Sequence, residues 1–205
     1  VSILNKLLAS IAFAFAFTVT LACSTAAQAA PQTYHVSVDT TSLAGQDGYL
    51  DFLLLGLSNA ALVQAQFSNF AGDFTAQNFA LGDTAGEISS VLTIGNGTAW
   101  NEFGQWAHLG GTLSFDVRFE FGAADGAGTT LSVALLDADL NYLGAGGDVV
   151  TFSLLPGSDA AISADGAYAS VSAVPEPATY LMLAAGLLLV LSLGRSAQSR
   201  SWFRN

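Results

Sequence analysis

Between residues 113 and 121 apolar and polar side chains alternate without a break: Leu113, Phe115, Val117, Phe119 and Phe121 are interleaved with Ser114, Asp116, Arg118 and Glu120. Successive side chains of an extended chain point to opposite faces, so a period of two gathers all five apolar groups on one side. A helix would scatter them around its circumference. The pattern therefore predicts a strand with one dry and one wet face, the habit of antiparallel sheets. Shorter alternations occur at Tyr34, Val36, Val38; at Val63, Ala65, Phe67; at Leu131, Val133, Leu135; at Val150, Phe152, Leu154; and around Val171, with Tyr168, Ser170 and Ser172 on the opposite face. Residues 49–55 and 88–94 are more continuously apolar and predict strands buried on both faces.

The separators are built from turn residues, among them Gly45-Gln46-Asp47-Gly48, Gly72-Asp73, Gly82-Asp83, Gly95-Asn96-Gly97, Gly110-Gly111 and Asp165-Gly166. Glycine, Asn and Asp tolerate the positive φ angles that tight strand connections need. Eight or nine short strands with such turns and no long helical pattern predict an all-β fold, an antiparallel β-sandwich of jelly-roll type. Residues 71–86 fit either a short helix or an irregular excursion.

Both ends of the chain read as targeting segments. Lys6 precedes an apolar stretch over residues 7–21, and Ala27-Gln28-Ala29 has the A-x-A form that signal peptidase accepts, so residues 1–29 are expected to be a signal peptide cut after Ala29. Cys23 is the single cysteine and lies in this leader, which leaves the mature chain without a disulfide or a thiol nucleophile. Residues 30–173 then form the ectodomain. Up to Val174 it carries fifteen Asp and Glu against one cation, Arg118. Phosphate binding depends on Lys and Arg, so nucleic acid is excluded as a partner on charge.

At the other end, Val174-Pro175-Glu176-Pro177 is a stiff extended spacer, because each proline lacks a donor and disfavours helix in its predecessor. Sixteen residues follow, 178–193, interrupted only by Thr179, Tyr180 and Ser192, and then Arg195, Arg200 and Arg204. As a helix the sixteen would span about 24 Å, slightly short of a hydrocarbon core. A transmembrane helix over residues 178–194 is expected, with the basic tail inside the cell and the β-domain outside. Pro-Glu-Pro, an apolar span and a terminal basic cluster, in that order, resemble the PEP-CTERM sorting signal of Gram-negative bacteria.

That resemblance, which covers residues 174–205, implies an exported substrate of exosortase, an integral-membrane cysteine protease of bacteria that make extracellular polysaccharide. It implies that Pro175, Glu176 and Pro177 are the recognition element. It also implies a precursor anchored in the inner membrane until processed, and a product at the cell surface or in the exopolysaccharide of a biofilm. The ectodomain is similar to a group of PEP-CTERM proteins without an established activity, through Gly48-Tyr49-Leu50-Asp51-Phe52, Phe67-Ser68-Asn69-Phe70 and Leu113-Ser114-Phe115-Asp116.

For the ectodomain's own chemistry the residues favour a structural or binding module without catalysis. A serine hydrolase needs a histidine beside its serine, and only His35 and His108 exist, neither in a recognisable context. His35 is expected to face solvent from a strand. Two carboxylates would suffice for a glycosidase, but among fifteen acids a pair at a suitable distance arises by chance. Asp137, Asp139 and Asn141, with Asp148 nearby, are the candidate calcium ligands; the competing reading is a plain acidic turn, since Gly144 is misplaced for an EF-hand and no glutamate closes the loop. No other cofactor is indicated. Trp100, Phe103 and Trp106, set among Asn101, Glu102, Gln105 and His108, are either a sugar-stacking edge or core tryptophans, the latter being the commoner use.

Overall fold

The strand expected over residues 113–121 forms, and its dry face lies at the centre of the core: Leu113, Phe115, Val117 and Phe119 are buried while Ser114, Asp116, Arg118 and Glu120 point outward. A computed structural model describes residues 32–122, 125–144, 146–175 and 185–186. Within them the chain is all-β. Its strands are β1 (Thr33–Asp39), β2 (Asp47–Leu55), β3 (Val63–Ala71), β4 (Phe74–Leu81), β5 (Thr84–Gly86) and β6 (Leu92–Gly95). They continue as β7 (Trp100–His108), β8 (Thr112–Phe121), β9 (Thr129–Leu136), β10 (Val150–Leu154), β11 (Ala161–Ala164) and β12 (Ala169–Val174). The strands make two antiparallel six-stranded sheets, ordered β12-β1-β8-β3-β6-β5 and β11-β10-β9-β2-β7-β4.

The chain changes sheet at every connection except β5 to β6, β9 to β10 and β10 to β11, so most neighbours in space are distant in sequence; β1 lies beside β8 and β2 beside β7. What joins the two sheets is aromatic packing between their inner faces. Phe52 of β2 meets Phe67 of β3 and Phe115 of β8 with ring centroids 4.7 and 5.0 Å apart. Further along, Phe152 of β10 meets Tyr34 of β1 at 5.6 Å and Phe119 of β8 at 5.3 Å. Tilted and edge-on contacts of this kind add to the gain from burying the rings themselves.

Several elements differ from the sequence expectation. Residues 71–86 hold no helix; they turn at Gly72 and cross to the second sheet as β4. Gly72 adopts φ 150°, and a Cβ there would meet Leu113 Cδ2 at 2.6 Å, so the crossing needs glycine. The apolar run at 88–94 yields strand only over Leu92–Gly95, because Ser90 N–H bonds back to Glu87 C=O in a turn. Residues 100–108 form a full strand, and β11 had no pattern to announce it. The last ladder also includes Val174, which pairs with Thr33 immediately before Pro175.

Three buried amides tie the irregular places together. Asn101, wholly buried, donates to Leu54 C=O at 2.9 Å and Thr98 C=O at 2.8 Å while its oxygen accepts from Asp83 N–H at 2.9 Å and Thr98 Oγ1 at 2.6 Å. Gln105 donates to Thr75 C=O at 2.8 Å and Gln77 C=O at 3.0 Å, filling the register break between Phe74 and Asn78 in β4. Asn96 bridges Val63 N–H and Ala61 C=O at 2.9 Å each. Each would leave buried backbone groups without partners if truncated. Asn101→Ala is accordingly expected to cost about 2–4 kcal/mol and Phe52→Ala about 3–5 kcal/mol in urea unfolding of the β-domain, whereas Ser114→Ala on the outer face should change stability by less than about 0.5 kcal/mol.

Candidate functional site

The two outer faces of the sandwich differ in chemistry. On the first sheet the outward positions are His35, Ser37, Gln64, Gln66, Ser68, Thr93, Ser114, Asp116, Arg118, Glu120, Ser170 and Ser172, an ordinary solvated surface. On the second sheet the outward positions of β2, β7 and β4 include Tyr49, Leu53, Leu55, Trp100, Trp106, Phe79 and Leu81, with Asp51 and Glu102 set among them. Trp100 is 52% exposed and Leu81 54%. An apolar stripe left open on one face of a sheet is the feature that requires an explanation.

Strand register builds this surface. Antiparallel pairing sets Tyr49 opposite Trp106, Asp51 opposite Gly104, Leu53 opposite Glu102 and Leu55 opposite Trp100, while Phe79 and Leu81 of β4 oppose Gly104 and Glu102 from the other side. Tyr49 stands edge-on to Trp106 at 4.5 Å and to Phe79 at 5.1 Å, and its hydroxyl accepts from Gln77 Nε2 at 2.9 Å. Gly104 leaves the gap that Phe79 fills: a Cβ there would lie 2.2 Å from Phe79 Cε1. Neither tryptophan joins the core, which corrects the commoner reading of such residues. Inward positions of β7 are instead taken by Asn101, Phe103, Gln105 and Ala107, so Asn101 and Gln105 serve the fold.

Asp51 and Glu102, 5% and 8% exposed, form a carboxyl pair within hydrogen-bonding reach of each other beneath this surface. Asp51 Oδ1 is buried with no donor among the described residues. Burial pushes the Asp51 carboxyl up to about 8 from an ordinary 3.8, with repulsion from Glu102, its hydrogen bond and the charge of Asp148 adding to the rise. The raised Asp51 carboxyl is therefore the group at this surface that stays protonated toward neutral pH. Glu102 Oε2 accepts from the Trp100 indole Nε1–H. The half-exposed Trp100 is thus held in place by a buried carboxyl pair.

The other candidate residues are placed elsewhere. His35 Nδ1 bonds Asp116 Oδ1 at 2.7 Å on the outer face of the first sheet, and Asn69 Nδ2 donates to the other oxygen of Asp116 at 2.7 Å. His108 Nδ1 bonds Asp47 Oδ1 at 2.7 Å at the exposed end of β7, and that bond raises its pKa. No serine hydroxyl bonds either imidazole among the described residues. Asp137 Oδ1 accepts from Asp139 N–H at 2.8 Å and Asn141 N–H at 2.9 Å, and Asn141 turns its amide donor toward the same carboxylate, which lowers the Asp137 pKa. That carboxylate serves its own turn. Among the described residues no three His, Cys, Asp or Glu converge as metal ligands.

The signal-peptide residues Ala27 and Ala29, the motif residues Glu176 and Pro177, and Arg195, Arg200 and Arg204 lie outside the described residues, as does nearly all of the span expected over 178–194. Among the described residues no helix is long and apolar enough to cross a membrane. Sequence reasoning missed Tyr49, Asp51 and Phe79 as partners of the tryptophans. A faint signal existed, since Tyr49 and Asp51 hold alternate positions in β2 as Trp100 and Glu102 do in β7. Family models, curated proteins and solved structures were compared with the chain, and none matches significantly.

The sign of the pH effect follows from the raised Asp51 carboxyl. Between about 4 and 8 the folded state keeps a proton that the unfolded state has released, so this pair's contribution to stability falls as pH rises through that window and then levels. Asp51→Asn keeps the donor to Glu102 without titrating. Its melting temperature relative to the wild type should rise steadily from pH 5 to pH 8; parallel profiles would mean that the pair holds no extra proton.

Proposed function

We propose that this chain is an exported jelly-roll module, sorted to the cell surface or the surrounding exopolysaccharide by an exosortase-type protease, and that it acts by binding rather than by catalysis. The observation that carries the sorting part is Pro175-Glu176-Pro177, the apolar span and the three arginines, in order at one end of the chain. A β-domain ending in a strand at Val174, directly before Pro175, suits the role, because the recognition element would then leave the fold with no intervening tether. The jelly-roll assignment rests on β1-β8-β3-β6 in one sheet opposite β2-β7-β4 in the other, the interleaved order of paired Greek keys.

The carbohydrate-binding reading of residues 100–108 is favoured by a specific observation: both tryptophans lie on the outer face and neither is buried. The non-catalytic reading draws on the histidines, each of which spends a ring nitrogen on a carboxylate, His35 on Asp116 and His108 on Asp47.

Intact mass of the protein recovered from host medium and membranes tests the sorting. The wild type should begin at Ala30 and lack the segment after Pro177, and joint Pro175→Ala, Glu176→Ala and Pro177→Ala should leave an uncut membrane form. Full-length chain in the membrane in both cases would reduce the tail to an anchor.

A further inference from the structure

We propose that the outer face of the second sheet is a linear platform for an uncharged polysaccharide chain, lying along β7 with Trp100 as the stacking residue at one end and the Tyr49, Trp106 and Phe79 cluster toward the other. This rests on the binding-module reading above and adds the ligand class and the residues outside β7. Six residues of strand separate the two tryptophans, about 20 Å at the usual rise, so the stripe accommodates several consecutive sugar rings. Sugar rings present C–H faces with hydroxyls at the edge. The surface offers the complement: flat apolar rings, with the Tyr49 hydroxyl and the exposed Gln77 amide beside them.

Two features separate this stripe from a chance cluster. First, Trp100 is half exposed yet fixed, since its indole donates to the buried Glu102 carboxyl. A ring fixed before the ligand arrives loses little freedom on binding. A surface tryptophan with no task would not need a buried carboxyl pair beneath it. Second, the large apolar side chains exposed within strands, Leu81, Trp100 and Ile162, all belong to the second sheet, although both sheets are built from the same two-residue alternation.

Charge narrows the ligand. Up to Val174 the exported part has fifteen acids and one cation, and that cation, Arg118, lies on the opposite sheet in a 3.0 Å pair with Glu120. Among the described residues no guanidinium or ammonium is on the stripe to hold a uronate, sulfate or lipid phosphate, and the acidic field opposes their approach. An uncharged chain meets no such penalty.

The test is affinity electrophoresis of the exported protein in native gels containing neutral polysaccharides, with hydroxyethyl cellulose, galactomannan and dextran as probes, against alginate and polygalacturonate as anionic ones. At least one neutral gel should retard the wild type and neither anionic gel should. Trp100→Ala should weaken that retardation about tenfold or more, Glu102→Gln, which keeps an acceptor for the indole, should weaken it less than Glu102→Leu, and His35→Ala on the other sheet should leave it unchanged. Melting temperatures of the variants separate lost binding from lost folding. Equal retardation of wild type and Trp100→Ala would leave a glycan-binding module with its site elsewhere. No retardation in any neutral gel, preference for the anionic gels, or a self-association that Trp100→Ala abolishes would overturn the proposal, while the sorting result from intact mass would stand on its own.

Discussion

Contact between the inner faces of the two sheets, centred on Phe52 wedged against Phe67 and Phe115, is the interaction on which the rest of the structure depends. Phe52 comes from the second sheet and Phe67 and Phe115 from the paired strands β3 and β8 of the first, so their packing cannot form until the sheets meet. Once it has formed, the face of every strand is fixed, because a slip of one residue would turn Phe52 outward and Asp51 into the core. The position of the surface stripe is thus a consequence of the core. Tyr49, Asp51, Leu53 and Leu55 are outward because Leu50, Phe52 and Leu54 are inward.

Polar residues inside the protein divide into two kinds. Asn96, Asn101 and Gln105 complete hydrogen bonds of backbone that the ladders leave open, and their energetic value lies in groups that would otherwise be buried without partners. Asp51 and Glu102 satisfy no backbone requirement of that sort. Two carboxyls are kept in a poorly solvated place, a costly arrangement that raises the Asp51 pKa and is met at Glu102 by one indole donor. That cost is carried at the surface stripe, where its visible effect is the fixing of an exposed tryptophan.

The strong acidity of residues 30–174 acts on a longer scale than the stripe, since fifteen carboxylic side chains against one cation set up a field that opposes the approach of polyanions and phosphates. The paired histidines and the Asp137 turn contribute local order at the edges of this picture, since each spends its polar atoms on a neighbour already present.

Much of this was legible in the sequence, and the reason is local. The alternation at 113–121 and at the five shorter sites fixed strand type and inward residues, since a strand's side-chain period is a property of the backbone. The targeting segments expected at the two ends lie almost wholly outside the described residues. Strand β4 was not legible, since an edge strand such as Phe74–Leu81, with little inward apolar content and a register break, needs its partner β7 and the Gln105 amide to hold it. Nor was the site. Trp100 and Trp106 fit core and surface equally well as residue types, and only the pairing of β7 between β2 and β4 decided which way they face, brought Asp51 from fifty residues away to meet Glu102, and left Phe79 lying over Gly104. Facing is set by long-range register, which no short window of sequence contains.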